Sequence, residues 1–184
     1  VKYRTIVADP PWPYERFGGF NGQPGRPRRE VIRELPYESM NLADIAAIPI
    51  VDLADPAGAN IFMWTTNRYL PDAFNVMRAW GAIYRQMLVW FKTGTNPLTG
   101  SIAPTACEYL LFGRIGAGAP LAARMTTPLI TTKRPGPNQH SRKPDVWIDE
   151  IERVSPGPYA ELFARRARFG WDYWGDQSLE TVQL

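Results

Sequence analysis

An acid, two prolines and an aromatic plate stand in succession, Asp9-Pro10-Pro11-Trp12, directly after the apolar run Thr5-Ile6-Val7-Ala8. Such a run reads as the end of a strand, and in open α/β sheets ligands bind at the C-terminal edge of the strands. Pro10 and Pro11 fix φ and carry no N–H, so the chain can neither extend the strand nor open an ordinary helix there. The carbonyls of the turn are left to accept hydrogen bonds, and with the Asp9 carboxylate they make a pocket of acceptors beside an indole face. A planar molecule bearing an NH2 group, such as adenine, suits that pocket. Asp9, Pro10, Pro11 and Trp12 are therefore the candidate catalytic residues. The other reading of the same four residues is a surface turn followed by a core tryptophan.

The elements that must hold this turn alternate between short apolar strands and helical patterns, which predicts an α/β fold. Residues 3–8 read as a strand and lead into a Gly-, Pro- and Arg-rich loop over about 13–36. Asn41 is placed to cap a short helix that runs to Ala47 and is stopped by Pro49. Residues 59–65 form a second strand. Leu70, Phe74, Met77 and Trp80 have the spacing of an amphipathic helix, ended by Gly81. Strands follow at 83–91 and 106–112, then a second long loop over about 117–143. Pro144 opens a helix with Trp147, Ile151 and Val154 on its core face, Ser155-Pro156-Gly157-Pro158 closes it, and the last strand is 159–163. At 184 residues the chain is expected to form one domain that buries roughly 70% of its unfolded surface. Loops this long inside one domain are uncommon and usually functional or disordered, so both are read as nucleic-acid-contacting or lid segments.

A single cysteine, Cys107, and a single histidine, His140, exclude a disulfide framework and a Cys/His metal cluster. No apolar run reaches membrane-span length and the first residues lack a secretory pattern, so a cytoplasmic location and no membrane partner are expected. The net charge of +3 is modest, but its distribution is uneven. Residues 109–144 contain no Asp or Glu, while Arg114, Arg124, Lys133, Arg134, Arg142 and Lys143 all fall there. Arg26, Arg28, Arg29 and Arg33 follow the Asp-Pro-Pro-Trp turn, diluted by Glu30 and Glu34, and Arg165, Arg166 and Arg168 make a third cluster. Three basic clusters around one candidate site favour a polyanionic substrate. Arg26, Arg28, Arg29, Lys133, Arg134 and Arg142 are the candidate nucleic-acid contacts.

Six blocks in one order carry a resemblance: Asp9-Pro10-Pro11-Trp12, Tyr37-Glu38-Ser39-Met40, Trp64-Thr65-Thr66-Asn67, Glu108-Tyr109-Leu110-Leu111-Phe112-Gly113, Ser141-Arg142-Lys143-Pro144 and Glu161-Leu162-Phe163. From residue 9 to about 177 the chain resembles the adenine-N6 methyltransferases of the DPPW type. That family includes the catalytic subunit of the mRNA m6A writer and its bacterial and phage relatives.

The resemblance implies a Rossmann-like methyltransferase fold, circularly permuted, with a mostly parallel sheet and S-adenosylmethionine as cofactor. Adenine's exocyclic nitrogen is a weak nucleophile because its lone pair is delocalised into the ring. Hydrogen bonds from the amine to Asp9 and to the Pro10 carbonyl would free that lone pair and hold the nitrogen in line with the sulfonium methyl. Trp12 would stack on the base, a contact worth ~1–3 kcal/mol. A duplex substrate would have to flip the adenine out. Direct transfer needs no cysteine nucleophile, in keeping with Cys107 as a buried strand residue. Carried over by position, Lys143 would hold the cofactor's methionine carboxylate. Glu161 and Arg165 would line the cofactor's ribose side, with Asp176 and Gln177 near the adenosine, and Asp9 would also be among the cofactor-binding residues.

The chain departs from the family pattern in three places. Ala164-Arg165 stands where relatives often carry Gly-Arg, Arg166-Ala167-Arg168 where the mRNA-writing members place His and Asn, and Asp176 where Asn is usual. With no accessory zinc fingers, these differences lead us to expect a minimal bacterial or phage enzyme acting on DNA. An RNA methyltransferase with the same site and a catalytically silent nucleic-acid-binding subunit are the alternatives, and silent partners generally lose the Asp that this chain keeps. A protein-glutamine methyltransferase would usually have Asn and Tyr at the ends of the turn. A homodimer or a partner subunit is left open.

Overall fold

Four strand-forming residues, Thr5–Ala8 (β1), lie wholly buried inside a seven-stranded sheet. The computed structural model describes residues 1–13, 39–94, 102–103, 105–133, 143–165, 167–175 and 181–182. Its elements run β1, α1 (Leu42–Ala47), α2 (Ile50–Leu53), β2 (Ala59–Thr66), a 3-10 turn (Asn67–Tyr69), α3 (Leu70–Ala79), β3 (Ala82–Thr93), β4 (Cys107–Ile115), β5 (Leu129–Lys133), α4 (Asp145–Val154), β6 (Tyr159–Leu162) and β7 (Trp171–Trp174).

The sheet order is β5-β3-β4-β2-β1-β6-β7. β4 is antiparallel to both its neighbours, and every other pair is parallel. The chain therefore builds outward from β1 through β2, then returns late to add β6 and β7 on the other side. That reversal between β1 and β6 is the topological switch point, where crevices open at the strands' C-terminal ends. The expected mostly parallel sheet flanked by helices is the observed one.

Local chemistry sets the helix ends. Asn41 caps α1 by accepting the Asp44 N–H at 2.8 Å. The helix predicted to start at Pro144 begins one residue later, because Pro144 is extended (ψ 138°) and takes the capping position. Trp147, Ile148, Ile151 and Val154 of α4 are buried. Among the described residues no helix is long and apolar enough to cross a membrane.

The region predicted as a loop over 117–143 contains β5, an edge strand paired in parallel with β3. Its sequence, Leu-Ile-Thr-Thr-Lys, is short and half-exposed, so only pairing with β3 makes it a strand. β7 likewise lies beyond the strand expected to be last. Residues 14–38, which hold most of the first predicted loop, lie outside the described residues.

Alternation along the strands sorts the core into two layers. Ile6, Ala8, Ile61, Met63 and Leu111 pack against α1–α3 through Ile45, Val76, Met77 and Trp80. Val7, Phe62, Trp64, Leu88, Trp90 and Leu110 pack against Trp147, Ile148 and Ile151 of α4.

Candidate functional site

Asp9 is the first residue past β1, on the side of Val7 and therefore on the α4 face. Counting by two along the neighbouring strands brings Glu161, Glu108 and Lys92 to that same face. Glu161 sits beside Val7 in the β1–β6 register. Glu108 reaches the edge because β4 runs backwards, so its beginning lies where the other strands end. Lys143 enters from the turn before α4.

These side chains make one ion network. Lys143 Nζ donates to Asp9 Oδ2 at 2.6 Å and lies 3.2 Å from Glu108 Oε2. Lys92 Nζ donates to Glu108 Oε1 at 2.6 Å, and an Arg165 guanidinium nitrogen is 3.9 Å from Asp9 Oδ2. An aromatic floor lies beneath it. Lys143 Nζ is 5.3 Å from the Trp64 ring centroid and Lys92 Nζ 4.9 Å from that of Trp90, while Trp64 meets Trp90 and Trp147 edge-on.

The environment polarises the groups in opposite senses. Burial works against the charge on Lys143, but Asp9 and Glu108 more than offset it and hold the ammonium above the ordinary lysine range. Burial pushes the Glu108 carboxyl up, and Lys143 and Lys92 overcome that push to leave it below the usual carboxylate range. Burial, then the charge of Asp9, push Glu161 up to about 7. Glu161 makes no hydrogen bond or ion pair among the described residues.

Asp9, Lys143, Glu161 and Arg165 are thus brought together. Trp12 is not. After the two prolines the chain passes to the opposite layer, where Trp12 is 3% exposed and stacked on Tyr69 with ring centroids 5.6 Å apart and planes 11° apart. Its Nε1 donates to the Trp64 carbonyl at 3.2 Å. The indole expected to stack on a base is instead an anchor of the turn. The Pro10 carbonyl is also engaged, accepting the Trp12 N–H at 2.9 Å, and Pro11 accepts the Met40 N–H at 2.9 Å. A carbonyl has two lone pairs, so Pro10 keeps acceptor capacity.

The turn after β6 closes the other wall. Phe163 has φ +62°, uncommon for a residue with a side chain. Ala164 donates its N–H to the Trp174 carbonyl at 2.9 Å. A Cβ on Gly175 would come within 2.6 Å of the Ala164 nitrogen, so only glycine fits there. Arg168, counted with the basic clusters, is committed to Glu152 and Asp149 at 2.7 Å each, and Trp171 Nε1 shares Glu152 at 2.7 Å. That cluster fastens β7 to α4. Lys133 is exposed at the end of β5. Arg26, Arg28, Arg29, Arg134, Arg142, Asp176 and Gln177 lie outside the described residues. Cys107 is half-buried at the start of β4, and no cluster of metal ligands occurs among the described residues.

Sequence reasoning named Glu108 only as part of a block and passed over Lys92. The available signal was parity: Glu108, Leu110 and Phe112 alternate onto one face, as do Leu88, Trp90 and Lys92.

The MT-A70 family pattern matches residues 3–177. The chain is 30% identical over 186 residues to the type II methyltransferase M.MunI of Mycoplasma sp, covering 95% of this chain and 77% of that protein. It is 28% identical over 201 residues to the N(6)-adenine-specific methyltransferase METTL4 of Mus musculus, spanning 39% of it. It is 25% identical over 192 residues to the N(6)-adenosine-methyltransferase catalytic subunit METTL3 of Homo sapiens, spanning 29% of it. With a match running from the strand that carries Asp9 through the wall that carries Glu161, the chain belongs to the MT-A70 family.

Proposed function

We propose that this protein transfers a methyl group from S-adenosylmethionine to the N6 amino group of adenine in DNA, by direct in-line displacement. The observation that carries the reading is the Asp9 carboxylate, set at the switch-point edge of an MT-A70 sheet and already holding an N–H donor at 2.6 Å. A group that accepts an ammonium proton there can accept an amino proton. In that position it draws density toward the exocyclic nitrogen and aims its lone pair.

The residues present fit the cofactor. Glu161 is a carboxyl without a hydrogen-bond partner among the described residues, and burial raises it to about 7. Ribose hydroxyls would supply the donors it lacks. Arg165, Asp176 and Gln177 are assigned to the same pocket, and Lys143 to the methionine carboxylate. When bound, S-adenosylmethionine supplies a methyl group on a sulfonium, which makes it electrophilic. Asp9 holds the amine, and the layer of Trp64, Trp90 and Trp147 makes the floor apolar, which strengthens each charge–dipole contact above it.

DNA is preferred as substrate, since the chain spans 77% of M.MunI, a type II methyltransferase, and far less of the adenosine-modifying relatives. Arg26, Arg28, Arg29, Lys133, Arg134 and Arg142 are assigned to its phosphates and base edges, and the cytoplasm of a bacterial or phage-infected cell is the setting. The test is transfer from labelled S-adenosylmethionine to duplex DNA, single-stranded DNA and RNA in parallel, followed by digestion to nucleosides. N6-methyladenine from DNA is expected. Product from RNA alone would replace the substrate, and no product with folded, cofactor-binding protein would overturn the activity.

A further inference from the structure

The sheet face that carries Asp9 holds a second concavity, away from the ligand edge. It is a cavity of about 360 Å³ with a floor of Phe62, Leu88 and Phe112, whose two phenyl rings lie 5.0 Å apart between centroids. Met125 and Val154 make its walls, and Gln86 and Arg124 are exposed at its rim. Such a volume suits a small flat guest. The walls are built without one. Ala122 donates its N–H to the Val154 carbonyl at 2.9 Å, and Arg153 donates to the Arg124 carbonyl at 3.1 Å. Val89 donates its N–H to the Pro128 carbonyl at 2.7 Å. Residues 122–128 are thus tied to α4 at one end and to β3 at the other.

The rim carries chemistry that the fold leaves unused. The β3–β4 register shifts between Tyr84 and Gln86, and this bulge sets Gln86 on the same face as Leu88 and Lys92. Neither the Gln86 amide nor the Arg124 guanidinium makes a hydrogen bond or ion pair among the described residues. Behind the floor, the Arg114 guanidinium carbon is 5.8 Å from the Phe112 centroid, and its Nε is buried without a hydrogen-bond partner among the described residues. Residues 109–144 contain no Asp or Glu to offset these cations. The complement of an apolar floor, an amide that both donates and accepts, and uncompensated arginines is a flat ring with polar edges and an attached anion. A nucleobase with its phosphate has that chemistry.

Its distance from the reacting centre suits the same strand. Leu88 and Lys92 are four residues apart on β3, which puts the cavity about 13 Å from the ion network. β5 covers that span, with Pro128 beside Val89 and Lys133 beside Thr93. At about 3.4 Å per nucleotide when stacked, and more when stretched, the span is about two to four nucleotides. We propose that this cavity is a second subsite for the substrate strand, taking the base about two to four nucleotides from the target adenine. Arg124 meets that nucleotide's phosphate and Gln86 the edge of its base. The proposal rests on reading the chain as an adenine-N6 methyltransferase. Held at two points, the strand enters in one register, and the amide selects among bases while the guanidinium does not.

The experiment is an abasic scan in steady-state methyl transfer. An oligonucleotide that the protein methylates at one adenine is given a single abasic site at each successive position of the same strand. In wild type, one position about two to four nucleotides from the adenine should raise KM at least about 10-fold while kcat changes less than about 3-fold. M125W fills the cavity, so its KM for the intact oligonucleotide should already be about 10-fold higher, and the abasic site should add less than about 2-fold. Q86A/R124A alters only the exposed rim and serves should M125W not fold; it should cut the abasic penalty by at least about half. No sensitive position in that window overturns the subsite. So does a penalty equal in wild type and in a folded M125W or Q86A/R124A protein. Wild-type protein that makes no N6-methyladenine overturns the functional reading itself, and with it this one.

Discussion

Trp12 and Tyr69 stack with planes 11° apart, and the Tyr69 hydroxyl donates to the Pro13 carbonyl, so the turn that presents Asp9 is clamped from the layer opposite to the one Asp9 faces. Removing the indole should act on the fold. Trp12→Ala in a buried site costs roughly 3–5 kcal/mol, or on the order of 10 °C in a domain of this size. Trp12→Phe keeps the stack, loses the hydrogen bond to Trp64, and should retain methyl transfer. Thermal unfolding of both variants checks this, and an unchanged midpoint for Trp12→Ala would show that the ring is not buried in solution.

Asp9→Ala should abolish measurable transfer, by at least about 1000-fold, because the amine loses its charged acceptor. The fold should survive, since Lys143 retains Glu108 at 3.2 Å. Rate and circular dichroism on one preparation separate the two effects. Normal turnover by the folded variant would remove Asp9 from the mechanism.

Glu161 makes stability fall as pH rises. Its carboxyl titrates at about 7 in the fold against 4.5 as its ordinary value, with burial the larger cause and Asp9 the next. Between those values the native state holds a proton that the unfolded chain has released. The contribution is therefore full below 4.5 and lost as pH passes about 7. Glu161→Gln mimics the protonated form, so its melting point should gain on wild type from pH 5 to pH 8, by ~5 °C. Parallel melting curves for the two proteins would contradict it.

Lys133 is exposed at the end of β5, and we propose it as a phosphate contact. Lys133→Ala should weaken DNA binding equally for all sequences and flatten the plot of log K against log salt by about 0.9 on duplex, or about 0.7 on single strands. Titrations at several salt concentrations measure the slope, and an unchanged slope would place Lys133 off the path of the nucleic acid.

The position of Asp9 was legible in the sequence because an acid after a buried run and before two prolines has few places to go. The direction of Trp12 was not. Two prolines determine that the strand ends, yet which layer the next side chain enters depends on Tyr69 and the carbonyl of Trp64, far along the chain. Glu108 was legible as a strand residue but not as part of the site. Strand polarity is absent from the residue pattern, and only a reversed β4 puts its first residues at the ligand edge. β5 escaped notice because Thr131, Thr132 and Lys133 read as polar loop until β3 supplies the missing partner. Lys143 and Glu161 came from resemblance, and the structure supplies the distances and fields that explain why those types stand there.

Asp9 and the Lys143 that neutralises it are 134 residues apart. At 5–20 residues per second a ribosome needs on the order of ten seconds to travel that distance, and during that time the carboxylate lacks the Lys143 ammonium. β6, which flanks β1 at the crevice, is made later still. The carboxylate of Asp9 therefore waits for its site until synthesis has passed both α4 and β6. Fragments cut short of that helix should be catalytically inert however well their first strands pair.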